Sequence, residues 1–217
     1  MKKVPFIAGI LVLALVLASG IGCASAEKNK EVDLVSKASV AGKEMPDIRN
    51  SIVPVDDQVS TIVVYYSQGS ATKRVAEDLA SIFSADIEKI VESKQRGTGF
   101  FQFMTTGYQS TFRMASAIEA PVYNPALYGR AIVLTPVWSW SLSPPVRAWL
   151  RLMRGKLPKS AFITVAGDTK PDTIVAMMTK ESSTIPVAFA GFGDKDFLSE
   201  NHALYIEKMT RIVDSLR

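Results

Sequence analysis

From residue 61 to the end of the chain, short apolar runs alternate with longer stretches in which apolar residues recur every three or four positions. Residues 62–66 form the first run, unbroken rather than alternating, as expected of a parallel strand covered on both faces. Residues 87–91 are a weaker second run, and 131–134, 161–165 and 187–190 are three more. Pro186 stands at the entrance of the last, where a strand tolerates proline. The stretches between read as amphipathic helices. Val75, Leu79, Ile82 and Phe83 share one face, and Val146, Trp149, Leu150 and Met153 share another, in a helix that Ser143 would cap and Pro144 and Pro145 would open. Pro171 opens a third helix, with Ile174, Met177 and Met178. The last spans about 199–216 and buries Tyr205, Met209, Ile212, Val213 and Leu216. Strands alternating with helices imply right-handed crossovers. The pattern therefore predicts an α/β fold, a three-layer α/β/α sandwich around a five-stranded parallel sheet. In such sheets ligands bind beyond the carboxyl ends of the strands, where the strand order reverses.

The first 58 residues follow different rules. Lys2 and Lys3 precede an apolar run over residues 4–18, too short and wrongly flanked for a comfortable membrane span. Residues 1–26 are therefore expected to be an export signal outside the fold. The signal has two candidate ends. Gly22 precedes Cys23, the chain's one cysteine, in a stretch that resembles a bacterial lipobox, with Gly20 where that motif prefers leucine. Ala24-Ser25-Ala26 is an A-x-A site for ordinary signal peptidase. Lipidation at Cys23, cleavage after Ala26 and an uncleaved anchor all place the protein outside the cytoplasmic face, as a membrane-anchored lipoprotein or a periplasmic or extracellular protein. Residues 27–58 are polar and charged and carry Pro46 and Pro54, so they read as a tether, with a short helical piece around 32–40. The domain proper is expected over 59–217.

Composition narrows the chemistry. The chain has 217 residues, 47% of them hydrophobic, enough for one well-buried domain. Without Cys23 there is no thiol for catalysis, disulfides or metal, and His202 alone cannot build a histidine cluster. The formal charge is +4, and removing Lys2 and Lys3 with the signal leaves +2. That is too little to argue for nucleic acid.

Three loops lie at the carboxyl ends. The first, Ser67-Gln68-Gly69-Ser70-Ala71-Thr72, joins a strand to a helix through hydroxyls and small residues. A helix start offers unpaired N–H groups and the positive end of the helix dipole, which suit a phosphate. Neither G-x-x-x-x-G-K nor G-x-G-x-x-G is present, which speaks against nucleoside triphosphate and dinucleotide chemistry. An empty capped turn is the other reading of this loop.

The segment VVYYSQGSATKRVAEDL resembles the FMN phosphate loop of the flavodoxin superfamily, matching at Tyr65, Ser67, Thr72, Ala76 and Leu79. Ser70 departs from it, because alanine or glycine is usual there. The segment AIVLTPVWSWSLSPPVRAWL is similar to the T-P-V-W…P-P-V-R-x-F-L segment of the same superfamily. There the backbone after the strand lies along the flavin ring, which implies roles for Thr135, Pro136, Val137 and Trp138, with Ser139 and Trp140 as neighbours. The third loop has Gly167 and Asp168 where relatives close over the pyrimidine side, and lacks the tyrosine that often covers the outer face. The resemblance implies a flavodoxin-like fold and FMN as cofactor, with flavin rather than any side chain as the reactive group.

The expectation is thus an FMN-binding protein acting in electron transfer, or in flavin-dependent reduction of a quinone-like acceptor, at the cell envelope. The alternative is a flavin-free module of the same fold serving an envelope assembly. A hydrolase is argued against by the single histidine and the lack of G-x-S-x-G. Two further stretches are noted. Residues 98–118 are rich in aromatics, with Phe101, Met104, Tyr108 and Phe112 at helical spacing, suiting a helix on the sheet, a lid or a dimer face. Arg147, Arg151 and Arg154 share an outer helix face, expected to be solvated or to rest on anionic lipid.

Overall fold

The structure is a computed structural model that describes residues 48, 51–93, 114–167 and 170–217. The expected signal with Cys23, most of the expected tether, most of the aromatic stretch and Asp168 lie outside the described residues. The elements run β1 (Thr61–Tyr65), α1 (Ala71–Phe83), β2 (Asp86–Lys89), β3 (Arg130–Trp138), β4 (Ser141–Leu142), α2 (Pro144–Leu152), β5 (Lys159–Val165), α3 (Pro171–Ser182), β6 (Ala188–Phe192) and α4 (His202–Leu216). Short 3-10 turns precede β3 and α4.

Five strands pair in parallel in the order β2-β1-β3-β5-β6, and β4 hooks antiparallel onto the end of β3. The predicted five-stranded parallel sheet is therefore present, with one addition. Residues 135–138, expected in a loop, continue β3, because Val137 pairs with Leu142 and Trp138 with Ser141. Periodicity could not report this, since the partner strand is only two residues long.

Each face of the sheet carries its own core. On one side Val63, Ile132 and Ile163 pack with Val75, Leu79 and Ile82 of α1 and Met209, Ile212 and Val213 of α4. On the other Ile62, Val64, Ala131 and Val133 pack with Val146, Trp149 and Leu150 of α2 and Ile174 and Met178 of α3. Strand side chains alternate between the two cores, which is why β1 and β3 read as unbroken apolar runs. Because α1 and α2 follow β1 and β3 onto opposite faces, the strand order reverses between the carboxyl ends of those strands, the place where such sheets bind ligands.

Two expectations about charged and polar segments change. Ile48, Ile52 and Val55, inside the span expected as a tether, are buried in the α1/α4 core. The Val55 N–H donates to the Ile82 carbonyl at 2.8 Å, and Asp57 pairs with buried Arg130, whose Nη1 donates to Oδ1 at 2.9 Å. The Arg130 guanidinium beside Asp57 holds its carboxyl down at about 2. A carboxyl depressed by folding contributes stability above its ordinary range and loses it as pH falls through the folded value. The anchor should therefore be complete above pH 3.8 and weaken as the pH falls from there to about 2. Asp57→Asn is expected to raise hydrogen exchange at the Val55 amide while leaving that of β3 unchanged. Equal protection of Val55 in the variant would mean that apolar contacts alone hold the segment.

The second change concerns the arginines of α2. Arg151 and Arg154 are exposed as expected, but Arg147 is not part of a solvated face. Arg147 is 1% exposed, and its Nη1 donates to Glu181 Oε1 at 2.5 Å. Arg151 donates through Nε to Glu181 Oε2 at 2.8 Å, and Arg154 donates to the carbonyls of Glu181 and Lys180 at 3.1 and 2.8 Å. Cations thus meet the carbonyl end of α3, where the helix dipole favours them.

Candidate functional site

The first loop leaves β1 at Tyr66 and enters α1 at Ala71. Ser67 is buried, and its Oγ donates to the Gly69 carbonyl at 2.6 Å, closing the loop on itself. Gln68 is exposed, and Gly69 and Ser70 are half-buried. Ser70 holds the N-cap position of α1 without a side-chain cap bond, and no acidic residue stands in the first turn. The first-turn N–H groups thus have neither a capping oxygen nor a carboxylate beside them. Ala71 and Thr72 are buried, and Thr72 Oγ1 is sealed from solvent with no hydrogen-bond partner. A buried hydroxyl left unpaired costs roughly 1–3 kcal/mol. The orphan sits in the same first turn as the uncapped amides.

The second loop is a hairpin. Ser139 and Trp140 have φ of 47° and 56° and link paired residues Trp138 and Ser141, so they are the two central residues of a type I′ turn. That turn prefers Asn-Gly, and a tryptophan in the left-handed region is strained. Trp140 is nonetheless 64% exposed, so no packing compensates the strain within the described residues. Thr135 turns inward, its Oγ1 3.0 Å from Ser143 Oγ and donating to the Pro136 carbonyl at 2.9 Å. Ser143 holds the N-cap place of α2 as expected, but makes no cap bond. Pro144 and Pro145 have no N–H to cap, which leaves its hydroxyl for Thr135. Arg147 Nη2 donates to Ser141 Oγ at 3.2 Å and to the Leu142 carbonyl at 3.4 Å, so the buried arginine also braces the hairpin.

The expected loops do converge. β1 lies between β2 and β3 with Tyr65 opposite Leu134, and β3 lies against β5 with Pro136 opposite Val165. All three loops therefore leave one edge of the sheet side by side. Tyr66 and Trp138 meet edge to face, ring centroids 5.5 Å apart at 79°. Gly167 is exposed at the end of β5.

Some residues at this edge escaped the sequence reading. The Tyr66 hydroxyl donates to Glu92 Oε2 at 2.8 Å and accepts from Gln68 Nε2 at 3.0 Å, tying the first loop to the end of β2. A fourth loop, after β6, presses on the third. A Cβ on Gly167 would stand 3.4 Å from the Asp194 carboxylate, and one on Gly193 would stand 3.2 Å from the Gly167 carbonyl. Gly193 also donates its N–H to Asp196 Oδ2 at 2.6 Å. The paired Tyr65-Tyr66 was a visible signal for the first contact. For Glu92 and Asp194 no local signal exists, because both act across strands.

No protein-family model matches the chain, and no curated protein does either. Solved structures do. A flavoprotein of Lactobacillus acidophilus NCFM, determined in complex with FMN, is 16% identical and superposes with a TM-score of 0.54 over 64% of this chain and 95% of that one. A flavoprotein described from Bacteroides eggerthii shares 13% identity over 70% of this chain and 99% of that one, with a TM-score of 0.53. One described from Bacteroides uniformis shares 12% over 69% and 99%, with a TM-score of 0.51. At such identity the likeness speaks to the fold alone. Together with the strand order β2-β1-β3-β5-β6, it gives this chain a flavodoxin-like α/β fold.

Proposed function

We propose that the protein binds FMN at the carboxyl edge of β1, β3 and β5 and handles electrons at the cell envelope, as an electron carrier or a reductase of a quinone-like acceptor. The observation that carries this reading is the Thr72 hydroxyl, buried without a partner in an uncapped first helical turn. An acceptor-rich, dianionic group fits there: it takes the hydroxyl hydrogen and the first-turn amides at once, and the turn itself carries no acidic residue. Ser67, Gln68, Gly69, Ser70, Ala71 and Thr72 would hold the phosphate. Pro136, Val137 and Trp138, with Ser139 and Trp140, would flank the ring, and Gly167 and Asp168 would close over its pyrimidine side. Thr135 acts indirectly, by tying β3 to Ser143. Bound FMN would supply the redox chemistry, and the chain's own residues need supply no acid, base or nucleophile.

The strained exposure of Trp140 is consistent with the same reading. A large apolar ring held out at a cost in backbone energy has a use if a planar ligand lies beside it. Export and anchoring through Cys23, or release after Ala26, complete the proposal and would place the redox partner outside the cytoplasm.

The direct test is the visible spectrum of the purified protein before and after incubation with FMN. Persistent absence of flavin absorbance would favour a flavin-free module of an envelope assembly. Thr72→Val then locates the phosphate. The substitution keeps the shape and removes the orphan, so the apoprotein should gain about 1 kcal/mol while FMN affinity falls about tenfold to a hundredfold. A gain in stability with undiminished affinity would remove Thr72 from the site.

A further inference from the structure

Among the described residues the sheet ends on β6, which has β5 on one side and no strand on the other. Edge strands are usually protected by charge, a bulge or a covering element, because their free N–H and C=O groups template pairing. This one carries no charge of its own: residues 182–193 contain no Asp, Glu, Lys or Arg. Ala188 and Ala190 turn towards the α1/α4 core. Phe189 and, in the lead-in to the strand, Val187 and Ile185 alternate onto the α3 face. α3 leaves them uncovered, at 49%, 50% and 84% exposure. Two guards stand at its ends: Pro186 precedes the strand, and Lys208 Nζ donates to the Gly191 carbonyl at 2.8 Å, which leaves the stretch from Val187 to Ala190 without one.

We propose that β6 is the interface of a homodimer, two copies pairing antiparallel along their β6 edges about a two-fold axis perpendicular to the sheet. The occupant is a second copy because the edge is complementary to itself. Antiparallel self-pairing sets uncharged residues against uncharged residues and brings the two Phe189–Val187 stripes onto one face. It also lays α3 of each copy beside the other in the opposite direction. α3 carries Asp172 in its first turn and Lys180 in its last, so each acidic end meets a basic end. A parallel arrangement would put the two α3 helices on opposite faces of the joint sheet, where these charges could not pair. The exposed residues between those ends, Thr173 and Ala176, are small enough for the helices to approach. The dimer leaves the edge of β1, β3 and β5 open and does not depend on whether a flavin is bound there.

Sedimentation equilibrium of the full chain in density-matched non-ionic detergent tests this, with far-UV circular dichroism as the check on folding. The expected result is a protein mass of two chains. Val187→Lys with Phe189→Lys should weaken association at least a hundredfold. Leu127→Lys, at a site 80% exposed elsewhere on the surface, should change nothing. Asp172→Lys should weaken the dimer, and adding Lys180→Asp should restore it. A monomeric wild-type chain overturns the proposal, which would be the outcome if another segment or another protein covers β6. A dimer indifferent to the double lysine variant overturns it as well, and so does a charge swap that fails to restore association.

Discussion

Glu181→Ala should lower stability by about 3–5 kcal/mol, the cost of leaving a buried cation without its partner. In a domain of this size that corresponds to a fall in melting temperature on the order of 10 °C. The magnitude follows from burial. Arg147 has a side chain only 2% exposed and Glu181 one only 12% exposed, so water cannot replace the lost carboxylate. The Arg151 pair contributes less, because its guanidinium is half exposed. Burial pushes the Glu181 carboxyl up, and the hydrogen bonds from Arg151 and Arg147 outweigh it and hold the carboxyl below its ordinary value of 4.5. The unfolded chain therefore takes up this proton more readily than the folded one, and acid favours unfolding. Its stabilising contribution is complete above pH 4.5 and is lost as the pH falls through the lower, folded value. Urea denaturation of wild type and variant should show the full difference at neutral pH and a shrinking one below 4.5. A variant within 1 kcal/mol of wild type at neutral pH would mean that the cluster is relaxed by water in solution. Because Arg147 also holds Ser141 and the Leu142 carbonyl, the hairpin bearing Trp140 should loosen with it, readable as a red shift of tryptophan fluorescence.

Ser70→Asp should separate stability from binding in opposite directions. Ser70 occupies the N-cap of α1 without capping it, and no acidic side chain stands in the first turn. An aspartate there supplies a capping oxygen and a charge that complements the helix dipole. The apoprotein should gain about 0.5–1 kcal/mol. The same charge would face the FMN phosphate. Two unit charges 4 Å apart repel by roughly 4 kcal/mol at the effective dielectric of a protein surface, and salt reduces this. FMN affinity should accordingly drop by roughly a hundredfold to a thousandfold. Titration followed by quenching of flavin fluorescence measures one arm, and thermal melting of the apoprotein the other. A variant that melts higher yet binds FMN within about threefold of wild type would move the phosphate away from this loop.

Much of this architecture is local in origin. Val75, Leu79 and Ile82 face the sheet because they recur at helical spacing, and all three are fully buried. The unbroken run over β1 announces a strand with a core on each side, and the same logic holds for β3 and β5. The loop from Ser67 to Thr72 is legible for a related reason: a strand, a short hydroxyl-rich break and an amphipathic start lie next to one another in the chain. A phosphate-sized anion site needs little more than that helix start.

Other features join residues that the chain keeps far apart, and local periodicity carries no record of a partner. Arg147, Arg151 and Arg154 read as an outer stripe because spacing reports which side of a helix a residue occupies, and not what covers that side. The C-terminal end of α3 covers it, with Glu181 thirty-four residues beyond Arg147. Ile52 and Val55 lack any period, yet a docking site between α1 and α4 buries them. The Thr135 hydroxyl meets Ser143 only because a hairpin whose second strand is two residues long brings the start of α2 back beside β3. Tyr66 finds Glu92 only after β1 and β2 have paired. The sequence by itself determined the layers, the strands and helices that build them and the hydroxyl-rich start of α1, since each depends on neighbours within a few positions. The tertiary structure alone decided which hydroxyl stays unpaired at Thr72, which arginine is buried and how Trp140 is held out. Those depend on what the rest of the fold places within a few ångströms.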